Sequence, residues 1–183
     1  MTVPKNRDLT VNLRGILPFL CLAVLTGCAP GQAEERGAAA AKPIIKAERI
    51  LVDKSDRTLI LYKAGKEIHR YTGIRFGDAP TGHKQFEGDE KTPEGSYTIN
   101  GRNPKSSYHL SLRVSYPNAA DRAFAKSKGR SPGGDIFIHG QPNKWFGPTL
   151  ASDWTDGCIA LSNAEIQLLW KQVDDGTVIT IQP

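Results

Sequence analysis

The sequence is poor in cysteine, with 3 in 183 residues, and holds 4 histidines and 1 methionine. No CxxC pair and no HExxH pattern occurs in it, so no metal centre is expected. No glycine-rich loop stands between a strand and a helix to cradle phosphates. No apolar run approaches the roughly 20 residues that cross a bilayer. No basic helix, zinc-ligand set or RNA-binding aromatic signature accompanies the net charge of +5, so the charge reads as diffuse and no nucleic-acid partner is expected. There is no internal repeat.

What is present begins with a leader. Lys5, Arg7 and Arg14 form a positive start, and Ile16 to Leu25 is a short apolar run. Together they read as an export signal. The run ends in Leu25-Thr26-Gly27-Cys28, which resembles a bacterial lipobox. The expectation is a signal peptide over 1–27, lipid on Cys28 and a membrane anchor without a transmembrane helix. Ala29 is the kind of residue that permits transfer to an outer membrane. The expected location is the cell envelope, facing the periplasm or the exterior. Removing 1–27 leaves 21 basic against 18 acidic residues. Residues 28–46 are small and polar, with four alanines in a row, and read as a flexible tether.

This assignment simplifies the cysteines. Cys21 falls in the leader and Cys28 carries lipid, so Cys158 is unpaired in an oxidising compartment. It lies in Asp153-Trp154-Thr155-Asp156-Gly157-Cys158-Ile159-Ala160-Leu161. Upstream, Ile136-Phe137-Ile138-His139-Gly140 is an apolar strand ending in a histidine. A thiol beside an imidazole is a nucleophile and its base. The same residues also fit a buried thiol acting as a small hydrophobe, with a surface histidine.

Residues 47–183 read as one mainly-β domain. Strands are expected at Glu48–Asp53, Arg57–Lys63, Lys66–Thr72, Ser96–Asn100, His109–Tyr116, Asp135–His139 and Thr177–Gln182. His69 reads as a surface strand residue. Asn118 is expected to cap a helix through Ser127, with Ala119, Ala123 and Phe124 on its apolar side. Ser162 and Glu165 fit a capping box. Ile166, Leu169, Trp170 and Val173 then recur at helical spacing. The long loop Gly73–Gly95 offers His83 and Lys84 as candidate substrate contacts, with a solvated loop as the plainer reading. Trp145 and Phe146 fall in a loop where they either line a groove or cover the core. About eight strands and two short helices make a sandwich or barrel.

These residues resemble the L,D-transpeptidase catalytic domain, also called the YkuD domain. His139-Gly140 followed by Thr155-Asp156-Gly157-Cys158-Ile159 is similar to its strand-end His-Gly and Ser/Thr-His-Gly-Cys pattern. Gly82–Tyr97 resembles its substrate-side loop, and Ile50–Asp53 with Leu59–Tyr62 its first strands. The segment Ser107–Asp121 is similar to a subgroup that includes an enzyme cutting wall-to-lipoprotein links. The resemblance implies a YkuD-like β-sandwich and a cofactor-free acyl-enzyme reaction on peptidoglycan stem peptides. It implies catalytic roles for Cys158, His139 and Gly157, and substrate contacts from Thr155, Asp156, Gly140, Lys84 and Trp145. A backbone carbonyl, Asp156 or Asp153 is expected to orient His139, and the N–H of Cys158 or Gly157 to hold the oxyanion. Two positions depart from the pattern: Asp156 replaces a histidine, and Ala160 replaces a basic or amide residue. Transfer to an amine is the expected outcome. Hydrolysis as an amidase or carboxypeptidase, or binding of peptidoglycan without catalysis, are the alternatives.

Overall fold

The computed structural model describes residues 43–183. The expected signal peptide, the Cys28 lipidation site and most of the tether lie outside the described residues. Residues 43–46 are exposed and irregular; Ala47 is the first to pack, its N–H bonding the Gln172 carbonyl at 2.8 Å.

Eight strands form one curled sheet. They are β1 (Arg49–Asp53), β2 (Thr58–Lys63), β3 (Lys66–Thr72), β4 (Gly95–Asn103), β5 (Ser111–Val114), β6 (Phe137–His139), β7 (Ile159–Ala160) and β8 (Val178–Gln182). Their order is β3-β2-β1-β8-β4-β5-β6-β7. Two helices, α1 (Ala119–Ser127) and α2 (Asn163–Gln172), complete the fold. β1–β8 and β6–β7 are parallel, and the other pairs are antiparallel.

β4 makes the sheet curl. Its first half pairs with β8, from Gly95↔Ile181 to Thr98↔Val178. Its second half pairs with β5, after a register shift between Ile99 and Gly101. A bulge bends its strand and increases local twist, so one strand serves two differently oriented halves. Alternation then does the packing. Ile50, Val52, Leu59, Leu61, Ile179 and Ile181 bury one half. Leu112, Val114, Ile138 and Ile159 bury the other, against Ile166, Leu169 and Val173 from the α2 side. Each such side chain is worth about 1.5–3 kcal/mol when fully buried. Exposed ion pairs such as Lys46–Asp174 add little by comparison.

Both helices begin where expected. Asn118 accepts from the Ala120 and Asp121 N–H groups, and Ser162 from that of Glu165; both capping boxes are closed. The buried face of α1 differs from the expected one. Asp121 and Ala125 turn inward, whereas Ala119, Ala123 and Phe124 are exposed. The reason is polar: the Asp121 carboxylate caps its own helix through the Asn118 N–H and also takes the Tyr97 hydroxyl at 3.1 Å. β5 is shorter than expected, because His109 sits at φ 69°, outside the β region.

Among the described residues, no helix is long and apolar enough to cross a membrane.

Candidate active site

His139 ends β6 and is held on both sides. Across β5 its ladder partner is Ser111, and across β7 it is Ala160. Its carbonyl accepts the Leu161 N–H at 2.9 Å. The imidazole is 3% exposed, and its Nδ1 lies 2.7 Å from the Gly140 carbonyl. A carbonyl only accepts, so Nδ1 carries the proton and Nε2 keeps its lone pair. Of the three expected orienting groups, it is the backbone carbonyl that makes this contact. Asp153 is occupied elsewhere, in a two-pronged pair with Arg57 at 2.7 Å for each contact. That guanidinium holds the Asp153 carboxyl below its ordinary range.

Tyr108 and Trp154 flank the imidazole, with ring centroids 4.6 and 5.5 Å away. The Trp154 indole N–H is buried without a protein partner. Burial lowers the His139 pKa, and the Gly140 carbonyl opposes this only in part.

Cys158 immediately precedes β7, the strand parallel to β6. Its sulfur accepts the Phe137 N–H at 3.4 Å, and its thiol faces the Asp135 carbonyl at 3.5 Å. Burial pushes the thiol up to about 11. The Phe137 N–H and Lys84 favour the thiolate, while Asp156 and Asp135 oppose it. Thiol and imidazole are thus both neutral at rest. They line one cavity of about 490 Å³, together with Tyr108, Trp154, Asp135 and Asp156.

The turn before Cys158 is built from Thr155 and Gly157. Thr155 Oγ1 donates to the Cys158 carbonyl at 2.7 Å and accepts the Gly157 N–H at 3.2 Å. Gly157 has φ 125°, and a Cβ there would lie 2.5 Å from the Lys91 carbonyl oxygen. No other residue fits that position without a shift.

The expected substrate contacts separate into groups. Asp156 is exposed at the cavity wall. Thr155 lines the cavity, but its hydroxyl is committed to its own turn. Gly140 is buried beside α2, where a Cβ would lie 2.6 Å from Asn163 Oδ1. Lys84 is 3% exposed and bonds Asp89 at 2.9 Å, so it reaches the site through its charge rather than by contact. Burial pushes the Asp89 carboxyl up, but Lys84 and three backbone N–H groups outweigh it and hold it low. Trp145 neither lines this cavity nor covers the core: it is 45% exposed, and its indole N–H donates to the Pro148 carbonyl within its own loop. His83 ties the long loop to α1, accepting the Glu94 N–H at 2.9 Å and facing Asp121 at 3.2 Å. Sequence reasoning missed Tyr108 and Trp154 as the aromatic walls. Both stand in stretches it had singled out, but a side chain's facing is not readable from a turn. Among the described residues, no cluster of His, Cys, Asp and Glu is arranged to hold a metal.

This geometry has counterparts. The model of the L,D-transpeptidase catalytic domain, YkuD, matches residues 47–181. The L,D-transpeptidase-type protein YafK of Escherichia coli (strain K12) is 30% identical over 141 residues, covering 73% of this chain and 50% of its own. The helical cell shape determining protein Pgp2 of Campylobacter jejuni is 31% identical, with TM-score 0.60, over 75% of this chain and 48% of its own. Bd1075 of Bdellovibrio bacteriovorus is 26% identical, with TM-score 0.54, over 75% and 48%. This chain therefore spans about half the length of the relatives it matches. With the family model matched across the whole sheet and both helices, the chain belongs to the YkuD family of L,D-transpeptidase catalytic domains.

Proposed function

We propose that this protein is a cysteine acyltransferase acting on peptidoglycan stem peptides, an L,D-transpeptidase in reaction as well as in family. One observation carries the reading. Cys158 and His139 stand at neighbouring parallel strands in one cavity, with the His139 Nδ1 proton fixed on Gly140 and Nε2 left as a base.

Both groups are neutral at rest, so the thiolate is generated during attack rather than stored as an ion pair. His139 Nε2 takes the thiol proton as sulfur bonds the carbonyl carbon of the third stem residue. The amine beyond that carbonyl leaves with the proton, and a thioester remains. The Gly157 N–H is held by Thr155, which makes the Cys158 N–H the candidate donor to the oxyanion. Such a donor is worth about 2.7–4 kcal/mol in the transition state. An incoming amine then takes the acyl group. The cell-shape role named for the Campylobacter jejuni relative agrees with wall remodelling.

A second reading, hydrolysis of the same thioester, is favoured by exposed Asp156, whose carboxylate lines the cavity and can hold a water. The test is intact mass after incubation with a tetrapeptide muropeptide and a D-amino acid, beside Cys158→Ala. A Cys158-dependent adduct with exchanged product supports transfer. Cleavage without exchange selects hydrolysis. Bound muropeptide with neither adduct nor product replaces both with a binding protein. The proposal includes an envelope location through lipid on Cys28. A lipid mass on the Cys28 peptide, lost in Cys28→Ser, is the expected result; an unmodified thiol there rejects it.

A further inference from the structure

The Gly140 carbonyl takes the His139 Nδ1 proton, so whatever holds Gly140 also sets the imidazole. The Gly140 N–H is shared between two carbonyls, that of Tyr108 at 3.0 Å and that of Leu110 at 3.3 Å. In a strand, carbonyls two residues apart stand about 6.6 Å from each other, too far to share one N–H. Here they converge because the residue between them, His109, takes a left-handed backbone at φ 69°. A side chain disfavours that conformation, and a β-branched one all but excludes it.

His109 is held there by three neighbours. Its N–H donates to Asn143 Oδ1 at 2.8 Å. Asn143 is fastened in turn to the stretch just before His109. Its backbone N–H donates to the Ser107 carbonyl and its side-chain amide to the Ser106 carbonyl, both at 2.9 Å. The His109 Nε2 lies 2.8 Å from the side-chain amide of Gln167, on α2. The His109 Cβ packs on Gly140 itself: a Cβ added to that glycine would lie 3.1 Å from it. Just before His109, the Tyr108 ring rests on the His139 imidazole, with the planes 31° apart. One left-handed residue thus sets both the peptide that takes the imidazole proton and the ring that packs on the imidazole.

We propose that His109 is a positioning residue for His139, its left-handed backbone clamping Gly140 and so keeping the His139 proton on Nδ1. An imidazole freed from that carbonyl also populates the form protonated on Nε2, and in that form Nε2 donates and cannot accept a proton. The consequence for turnover rests on the acyl-transfer reading, in which Nε2 is the base.

The tautomer is read on the full chain by long-range 1H–15N NMR at about pH 8, where a neutral imidazole shows one protonated and one bare nitrogen. The His139 signals are picked out from those of the 4 histidines by their loss in His139→Gln. The wild type is expected to show a single form, protonated on Nδ1. His109→Gly and His109→Asn tolerate the left-handed backbone and are expected to keep that form, slowing exchange of a D-amino acid into muropeptide by no more than about threefold. His109→Val is expected to give both tautomers, with kcat lowered about tenfold or more and KM little changed. Asn143→Ala removes the acceptor of the His109 N–H and is expected to move the same way by less; it serves in place of His109→Val should that variant not fold. A single Nδ1-protonated form in both His109→Val and Asn143→Ala overturns the proposal. Equal loss of that form in the Gly, Asn and Val variants overturns it too, since the role would then belong to the His109 imidazole. A tautomer that follows backbone tolerance, in a protein that makes no acyl-enzyme, sinks the acyl-transfer reading and leaves the clamp standing. Mixed tautomers with undiminished turnover sink the positioning role and leave acyl transfer standing.

Discussion

Cys158 is a reluctant thiolate. Burial and two nearby carboxylates keep its proton on, with a pKa near 11. Alkylation by iodoacetamide should therefore be slow at neutral pH and still accelerating above pH 9. Asp156→Asn removes one opposing negative charge, so its rate profile should move to lower pH. A profile centred at an ordinary thiol value would contradict this environment. Gly157 is the second sensitive residue. Gly157→Ala forces a Cβ toward the Lys91 carbonyl at a backbone angle that L-residues rarely adopt. Strain alone costs about 1–3 kcal/mol, so a clear fall in melting temperature is expected. At this scale the sequence was informative about chemistry and silent about orientation. A thiol and a histidine in the right order marked two residues that line one cavity. That Nδ1 of His139 meets a carbonyl, and that Lys84 turns to Asp89, depend on loop paths that no local pattern encodes.

The turn before Cys158 is an element in its own right, and Thr155 closes it. Thr155→Val leaves the Gly157 N–H and the Cys158 carbonyl without their partner in a buried place. A cost of about 1–3 kcal/mol is expected by thermal melts. Thr155→Ser, which keeps the hydroxyl, should recover most of it; equal loss in both variants would assign the effect to the methyl group instead. Elements with strong periodicity or explicit caps were legible. β3 and the start of α2 match their expected positions, because alternation and a capping box are local signals. β7 was not legible: two residues carry no period, and the strand exists only because β6 and Arg75 pair with it. The α1 face was misread because Asp121, a carboxylate, is buried for its hydrogen bonds rather than for its hydrophobicity.

For the molecule as a whole, Cys158 and His139 also shape stability against pH. Burial depresses His139 below its ordinary 6.5, so the unfolded chain takes up that proton first on acidification. Stability should fall as pH drops below 6.5, well before the depressed carboxylates Asp89 and Asp153 begin to count below 3.8. His139→Gln should flatten that decline in chemical denaturation series. The opposite sign holds for Cys158, raised from 9.0 to about 11: its contribution is complete below pH 9 and is lost as pH rises toward 11. Cys158→Ala should remove that part of the alkaline decline. An unchanged slope in either variant would refute its assignment. The overall class was legible from strand count and spacing, but the order of strands was not, because register between distant segments leaves no mark in sequence. That order has a temporal side. β8, the last in chain order of the eight described strands, lies between β1 and β4, and within the sheet only through it do the first three strands join the other four. A growing chain can pair β1 with β2 and β3, and β4 with β5 and β6, but the sheet stays in two parts until residues 178–182 emerge. Until then it is a thread with two unjoined halves, and both parallel seams of the sheet, including the one that sets His139 beside Cys158, wait on residues made late.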